Sequence, residues 1–412
     1  MVETGDEIEL EVGAVAHGGH CVARIGEGGR VVFVRHTLPG ERVRVRLTEA
    51  APEARFWRGE AVEVLEASPD RVPSAWPEAG PGGVGGAELA HVALPAQRAW
   101  KAAVVSEQLA RLAGVEREVE VEAAPGDEER GGLAWRSRIE LRTDAEGRAG
   151  MTRVRSHEVL PLGSMPLAVE AIAGLELFSR RWPAGVRIEA VAPSVGEPLV
   201  LVDGTPWRGR GPDTRANARS SVSERVSWRG EELRYRVAAR GFWQVHREAP
   251  GVLVDAVLDA VGPIEGARVL DLYSGAGLLT VPLALAVGPQ GSVLAIEGDA
   301  RAVKDARRNV HGLEHVRLVE GEVARSLVGR VPRLEADVVV LDPPRQGAGR
   351  TVVAALAASG ASRVVYVACD PAALARDIAY LQGHGFELGQ VRSFDLFPMT
   401  HHVESVAVLE RR

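Results

Sequence analysis

The sequence predicts an α/β protein whose C-terminal part is a doubly wound parallel sheet, preceded by a small N-terminal β-barrel and a central α+β unit. Three observations carry that expectation. From about residue 250, short apolar runs ("ARVLDLY", "GSVLAIE", "HVRLVEGE", "ADVVVLDPP", "SRVVYVAC") alternate with helical segments, the texture of parallel strands buried on both faces. The first 66 residues hold short β-branched runs separated by "HGGH", "GEGGR" and "LPGER", as in a small barrel. With 412 residues, 46% of them apolar and 25% charged, the chain is long enough for two or three domains with a sizeable core.

In chain order, residues 1–66 are expected to form the barrel, either as a structural cap or as an oligonucleotide-binding surface that presents Arg24, Arg30 and Arg35 to phosphates. Residues 68–95 are rich in Pro, Gly and Ala and read as a linker. "AQRAWKAAVVSEQLARLAG" has helical periodicity and a terminal glycine. Up to residue 240, β-like runs ("SRIELRTDAEGRAGMTRV", "RIEAVAPS", "PLVLVDG", "LRYRVAARGFWQV") and a helix near 166–180 make the central α+β region, 67–240. Residues 241–412 then form the parallel sheet, with "ELGQVRSFDLF" and "VESVAVLE" pairing antiparallel at one edge.

Composition narrows the function classes. A net charge of −7 argues against non-specific coating of nucleic acid but leaves room for a local basic groove. Two cysteines, Cys21 and Cys369, exclude a disulfide framework and any all-cysteine zinc or iron–sulfur site. The longest apolar stretches are too short for a bilayer, and the acidic "MVETGDEIEL" is unlike a signal peptide, so a cytoplasmic location is expected. No metal site is expected, and a monomer is the default.

The chemistry concentrates at the ends of the C-terminal strands. In "VLDLYSGAGLLTVPLA" a buried strand delivers Asp271, and Ser274, Gly275, Ala276 and Gly277 turn the chain into a helix, where α/β sheets bind cofactors. Thr280 stands where a dinucleotide fingerprint needs its third glycine, which disfavours NAD. Glu297 ends the second strand, placed to accept both hydroxyls of a ribose. Turn and acid together are the arrangement of S-adenosylmethionine-dependent methyltransferases. Asp342 emerges from the fourth strand before a loop stiffened by two prolines. Cys369 follows the fifth strand, and Asp370 and Pro371 can start a helix whose N-terminus favours a thiolate.

The motifs "DLYSGAG", "LDPPRQGAG", "YVACDPAALARD" and "DLFPMTHHVESVAVL" together resemble the RNA 5-methyluridine methyltransferase family, and the barrel resembles a TRAM domain. The resemblance implies a class I methyltransferase sheet of Rossmann type behind an OB-type barrel, S-adenosyl-L-methionine as cofactor, and RNA as partner, large-subunit (23S) ribosomal RNA more than tRNA. It implies that Cys369 adds to carbon 6 of uracil and that Glu404 removes the proton from carbon 5. It also implies that Gln244, Tyr273, Gly275, Gly277, Glu297 and Asp342 contact the cofactor, and that Arg345 meets phosphate or orients its loop.

Three departures stand out. "PGGVGGAELAH" and Met165 replace the cysteines that hold an iron–sulfur cluster in many relatives, so no cluster is expected. The usual C-N-P is C-D-P, which sets Asp370 beside Cys369, and Leu278 stands where relatives often have asparagine. Two alternatives follow: an RNA-binding paralogue with weakened catalysis, and a methyltransferase of base amino nitrogens, which "DPPR" and Cys369 disfavour. His401 and His402 are set aside, since adjacent residues on a strand face opposite ways.

Overall fold

The barrel at the N-terminus is built by alternation. In β1 (Glu7–Ala16), β2 (His20–Arg24), β3 (Val31–Arg35), β4 (Arg42–Glu49) and β5 (Phe56–Glu66), every second side chain turns inward, so that Val43, Val45 and Leu47 of β4 are buried. The strands close in the order β1-β2-β3-β5-β4. The structure, a computed structural model, describes residues 2–26, 29–328 and 334–412; Glu27 and Gly28 of the expected "GEGGR" turn lie outside them. The outward arginines of β4 do not form a free basic stripe, while Arg24 and Arg30 each donate to a backbone carbonyl, of Gly29 and of Ala51. Arg42 and Arg44 pair with Glu9, Glu63 and Glu66, Arg46 pairs with Glu7, and Arg35 turns toward Glu88. Arg35, expected to meet phosphate, is held inside the protein instead.

After the barrel the chain runs through 77–93 into α1 (Leu94–Gln108) and β6 (Val121–Ala123). The central sheet then forms from β7 (Arg138–Thr143), β8 (Ala149–Thr152), β9 (Val159–Pro161), β10 (Arg187–Val191), β11 (Leu199–Val202), β12 (Thr205–Arg208) and β13 (Gly211–Pro212), in the order β13-β12-β11-β10-β7-β8-β9. Of the helix expected near 166–180, only α2 (Glu170–Ala173) is helical, because Gly174 ends the turn that Pro166 precedes. Val84, Ala87 and Met165, which stand where the resemblance expects ligands of a cluster, pack with Trp76, Trp135 and Leu167 in one apolar core.

The C-terminal unit starts earlier than its first parallel strand. A hairpin of β14 (Ser221–Trp228) and β15 (Glu231–Ala238) buries Val222, Val226, Leu233, Tyr235 and Val237 against α3 (Ala249–Val261), each worth roughly 1.5–3 kcal/mol. The expected boundary at residue 240 therefore cuts through a packed core. Beyond it β16 (Arg268–Leu272), α4 (Thr280–Val287), β17 (Ser292–Glu297), α5 (Ala300–Asn309), β18 (Val316–Glu320), α6 (Val323–Val328), β19 (Val338–Leu341), α7 (Gly349–Ala358), β20 (Arg363–Ala368), α8 (Pro371–Gln382), β21 (Phe386–Asp395) and β22 (Glu404–Arg411) complete the chain. The sheet order is β18-β17-β16-β19-β20-β22-β21-β6, parallel from β18 to β20, with β22 antiparallel to both neighbours. Its far edge is closed by β6, which reaches over from the N-terminal half and pairs parallel with β21. Among the described residues no helix is long and apolar enough to cross a membrane.

Candidate active site

The order reversal between β16 and β19 opens a crevice at the carboxyl ends of the strands, where α/β sheets bind ligands. Tyr273 leaves β16 at φ +61° and Gly277 follows at +90°, a left-handed path that glycine takes without strain. The amide of Gly275 donates to Glu297 Oε2 (2.9 Å) and that of Asp299 to Oε1 (2.7 Å), which fixes the Glu297 carboxylate across the turn. Ser274 Oγ is buried there with no hydrogen-bond partner. Beneath, Asp271 accepts from Thr280 Oγ1, and burial, with Glu297 adding, pushes its carboxyl up to about 7. Asp342 follows β19, its amide bonded to Leu272 O; desolvation, then Asp271 and Glu297, raise it in turn.

Cys369 and Glu404 come together by register. Ala368 of β20 pairs with Ser405 of β22, so the residue after one and the residue before the other lie at the same rim. Glu404 is 4% exposed, and burial together with Asp342 raises its carboxyl well above the usual carboxylate range. The Cys369 thiol is pushed up to about 12, first by burial, then by Glu404 and Asp342, while Arg345 acts the other way. The helix start alone does not decide this thiol, because two buried acids face it. Asp370 caps α8 by accepting the Ala373 amide at 2.8 Å, and its second oxygen lies 3.2 Å from His17 Nε2 on the barrel.

Gln244 is buried between β15 and α3 and lines a cavity with Trp243, His246 and Ser194. No hydrogen bond joins it to the glycine turn. Its neighbour Trp243 packs against Tyr235, whose hydroxyl donates to Leu278 O, so the segment meets the turn through that ring.

The histidine pair corrects the sequence reading. Residues 401 and 402 lie in the loop before β22, not on the strand, and their rings approach to 4.1 Å. His402 Nε2 accepts from Arg345 at 3.3 Å, and burial keeps its imidazole neutral. His401 pairs with Glu88, and Glu88 with Arg35 of β3. Although burial works to raise it, His401 and Arg35 hold the Glu88 carboxyl far below the usual range. Glu88 and His17 lie in stretches read only as loop and turn, and their roles are defined by contacts between distant segments. Among the described residues no cluster of His, Cys, Asp or Glu gathers as a metal-ligand set.

Comparison with known proteins agrees with this architecture. The sequence profile of the tRNA (uracil-5-)-methyltransferase family matches residues 209–412, and that of the TRAM domain matches residues 2–62. An uncharacterized RNA methyltransferase of Streptomyces coelicolor is 46% identical over 98% of this chain and 93% of its own length. One from Bifidobacterium longum is 45% identical over 98% and 97%. The tRNA (uracil-54, C5)-methyltransferase of Pyrococcus abyssi, solved with S-adenosyl-L-homocysteine, shares the fold with a TM-score of 0.68 over 97% of this chain and 100% of that one, at 22% identity. A TRAM barrel, a glycine turn facing Glu297, and near-full-length relatives at this identity lead to one conclusion: the chain belongs to the S-adenosylmethionine-dependent RNA 5-methyluridine methyltransferase family.

Proposed function

We propose that the protein methylates carbon 5 of a uridine in structured RNA through a covalent adduct between Cys369 and uracil. The observation that carries this reading is the juxtaposition of Cys369 and Glu404 across the β20–β22 pair, with Asp342 alongside. Carbon 5 of uracil is a weak nucleophile. The Cys369 thiolate adds to carbon 6, placing an enolate's electron pair at carbon 5. Carbon 5 gives that pair to the methyl group that a bound S-adenosylmethionine supplies. Glu404 as carboxylate then takes the proton carbon 5 still carries, and the carbon–sulfur bond at carbon 6 breaks to return the thiolate.

The residues around the glycine turn fit S-adenosylmethionine. Glu297, already fixed by two amides, is suited to ribose hydroxyls, and the unpartnered Ser274 Oγ offers a further polar contact. Tyr273, Gly275, Gly277, Asp342 and Gln244 complete the proposed cofactor set. When bound, the cofactor supplies an electrophilic methyl group on its sulfonium.

As substrate class we propose large-subunit ribosomal RNA, because a TRAM barrel precedes the catalytic sheet; the matching family profile, named for tRNA, makes tRNA the competing substrate. We further propose that the protein works as a monomer in the cytoplasm. Transfer of labelled methyl to unmodified 23S and tRNA transcripts, followed by digestion to nucleosides, tests the reaction and its substrate. Label in 5-methyluridine from 23S RNA supports the proposal, label from tRNA alone overturns its substrate half, and no label in either overturns the reaction.

A further inference from the structure

The "HGGH" tip of the β1–β2 hairpin leaves the barrel and enters the rim of the site. Gly18 and Gly19 have φ of +93° and +75°, and a Cβ on Gly19 would stand 3.2 Å from His401, so the tip is seated against the loop that leads to Glu404. That seating brings His17 Nε2 to 3.2 Å from Asp370 Oδ2, while Oδ1 of the same carboxylate caps α8. Asp370 adjoins Cys369 in sequence, so a barrel residue touches the first neighbour of the thiol.

The charges on both sides are few. His17 faces Asp370 at the start of α8 and Glu107 on α1, with Arg111 beyond it along the groove between barrel and helix. Asp370 and then Glu107 favour the protonated imidazole, against burial. Partial burial acts to raise the Asp370 carboxyl, yet His17 and the α8 amides hold it below its ordinary value. Cys369 itself faces Glu404, Asp342, Arg345 and Asp370.

We propose that His17 is a positioning residue of the active site: its imidazolium takes up the charge of Asp370, so that the carboxylate adjoining Cys369 opposes formation of the thiolate less. The inference rests on Cys369 as nucleophile but adds a role for the barrel beyond holding RNA. The effect depends on the proton of His17. While the imidazole is protonated, the thiol adjoins a neutralised pair; once it is not, the full charge of Asp370 faces the sulfur. An exposed ion pair is worth little, but this one is partly shielded, with side-chain exposures of 39% and 25%.

Alkylation by iodoacetamide reads the Cys369 thiolate directly, with no RNA present. Cys369→Ala serves as the blank for Cys21, which is buried and pushed up to about 12 by that burial. In His17→Gln, alkylation at pH 6.5 should be at least about threefold slower than in the unaltered protein, half a unit of thiol pKa, and equal to it at pH 9.5, where the imidazole is neutral and its replacement by glutamine removes no charge. Asp370→Asn keeps the helix cap and removes the charge, so the double variant His17→Gln/Asp370→Asn should recover the rate at pH 6.5. Equal rates at every pH, a deficit that persists at pH 9.5, or no recovery in the double variant overturns the inference. Methyl transfer by Cys369→Ala would overturn the nucleophile instead, and the alkylation profile would still decide the role of His17.

Discussion

At the scale of single residues, the site is crowded with acids: Asp271, Glu297, Asp342 and Glu404 share one rim, and the cation opposing them at Cys369 is Arg345, braced by His402. Such crowding separates the roles of Cys369 and Glu404 experimentally. Cys369→Ala should abolish methyl transfer while leaving S-adenosylmethionine affinity, read by calorimetry, unchanged within about twofold. At a pH high enough to ionise Glu404, Glu404→Gln removes the charge that most raises the thiol after burial, so iodoacetamide should label Cys369 faster, yet turnover should fall by about 100-fold or more. With no base to take the carbon 5 proton, RNA should remain attached to the protein in denaturing gels; loss of activity without retained RNA would count against Glu404 as base. Asp271 yields a stability prediction. Its folded-state value of about 7 lies above the unfolded value of 3.8, so its contribution is fully present below pH 3.8 and is lost as pH rises to about 7. Asp271→Asn can still accept from Thr280 and holds no charge. At pH 8 it should unfold at higher urea concentration than the unaltered protein, by about 1–4 kcal/mol, with no gain at pH 4.

At the scale of elements, legibility followed local period. The parallel strands were readable because four- to six-residue apolar runs such as "VVVL" and "RVVYVA" have few other uses. The run "LRYRV" reads as a strand but does not say what covers it, and β14 is not among the β-like runs, which is why the packing of the hairpin on α3 escapes the sequence. Three-residue β6 carries no periodic signal at all. Glu404 is similar: one acid at the head of an apolar strand looks solvated until the β20–β22 register sets it beside Cys369, and only the family resemblance singled it out. The docking of α1 is likewise invisible in sequence. Lys101, fully buried, donates to Asp395 at 2.5 Å and to Phe397 O at 3.1 Å, tying the helix to the end of β21. Lys101→Met should strand a buried carboxylate and destabilise the fold by about 3–5 kcal/mol in chemical denaturation, whereas replacing Lys101 and Asp395 together with apolar residues should cost much less.

For the whole molecule, the three units are interlocked rather than strung in a row. The barrel reaches the catalytic rim through His17, Arg35 and Glu88 tie β3 to His401, and β6 finishes the C-terminal sheet. A fragment beginning at residue 241 should therefore be insoluble or associated on gel filtration, since it lacks the hairpin that covers α3 and bares the edge of β21. A monodisperse, cooperatively folding fragment would contradict this account of its core.

The pairing of β6 with β21 also sets a clock during synthesis. Glu122 and Arg392, paired across those strands, are separated by 270 residues of chain. At about 5–20 residues per second, a ribosome needs roughly 14–54 s to make that interval. For that time a finished N-terminal half must hold an unmatched strand and the polar head of Lys101 with no partner. The order of manufacture thus exposes the nascent chain to chaperones and proteases at a join that the completed enzyme conceals.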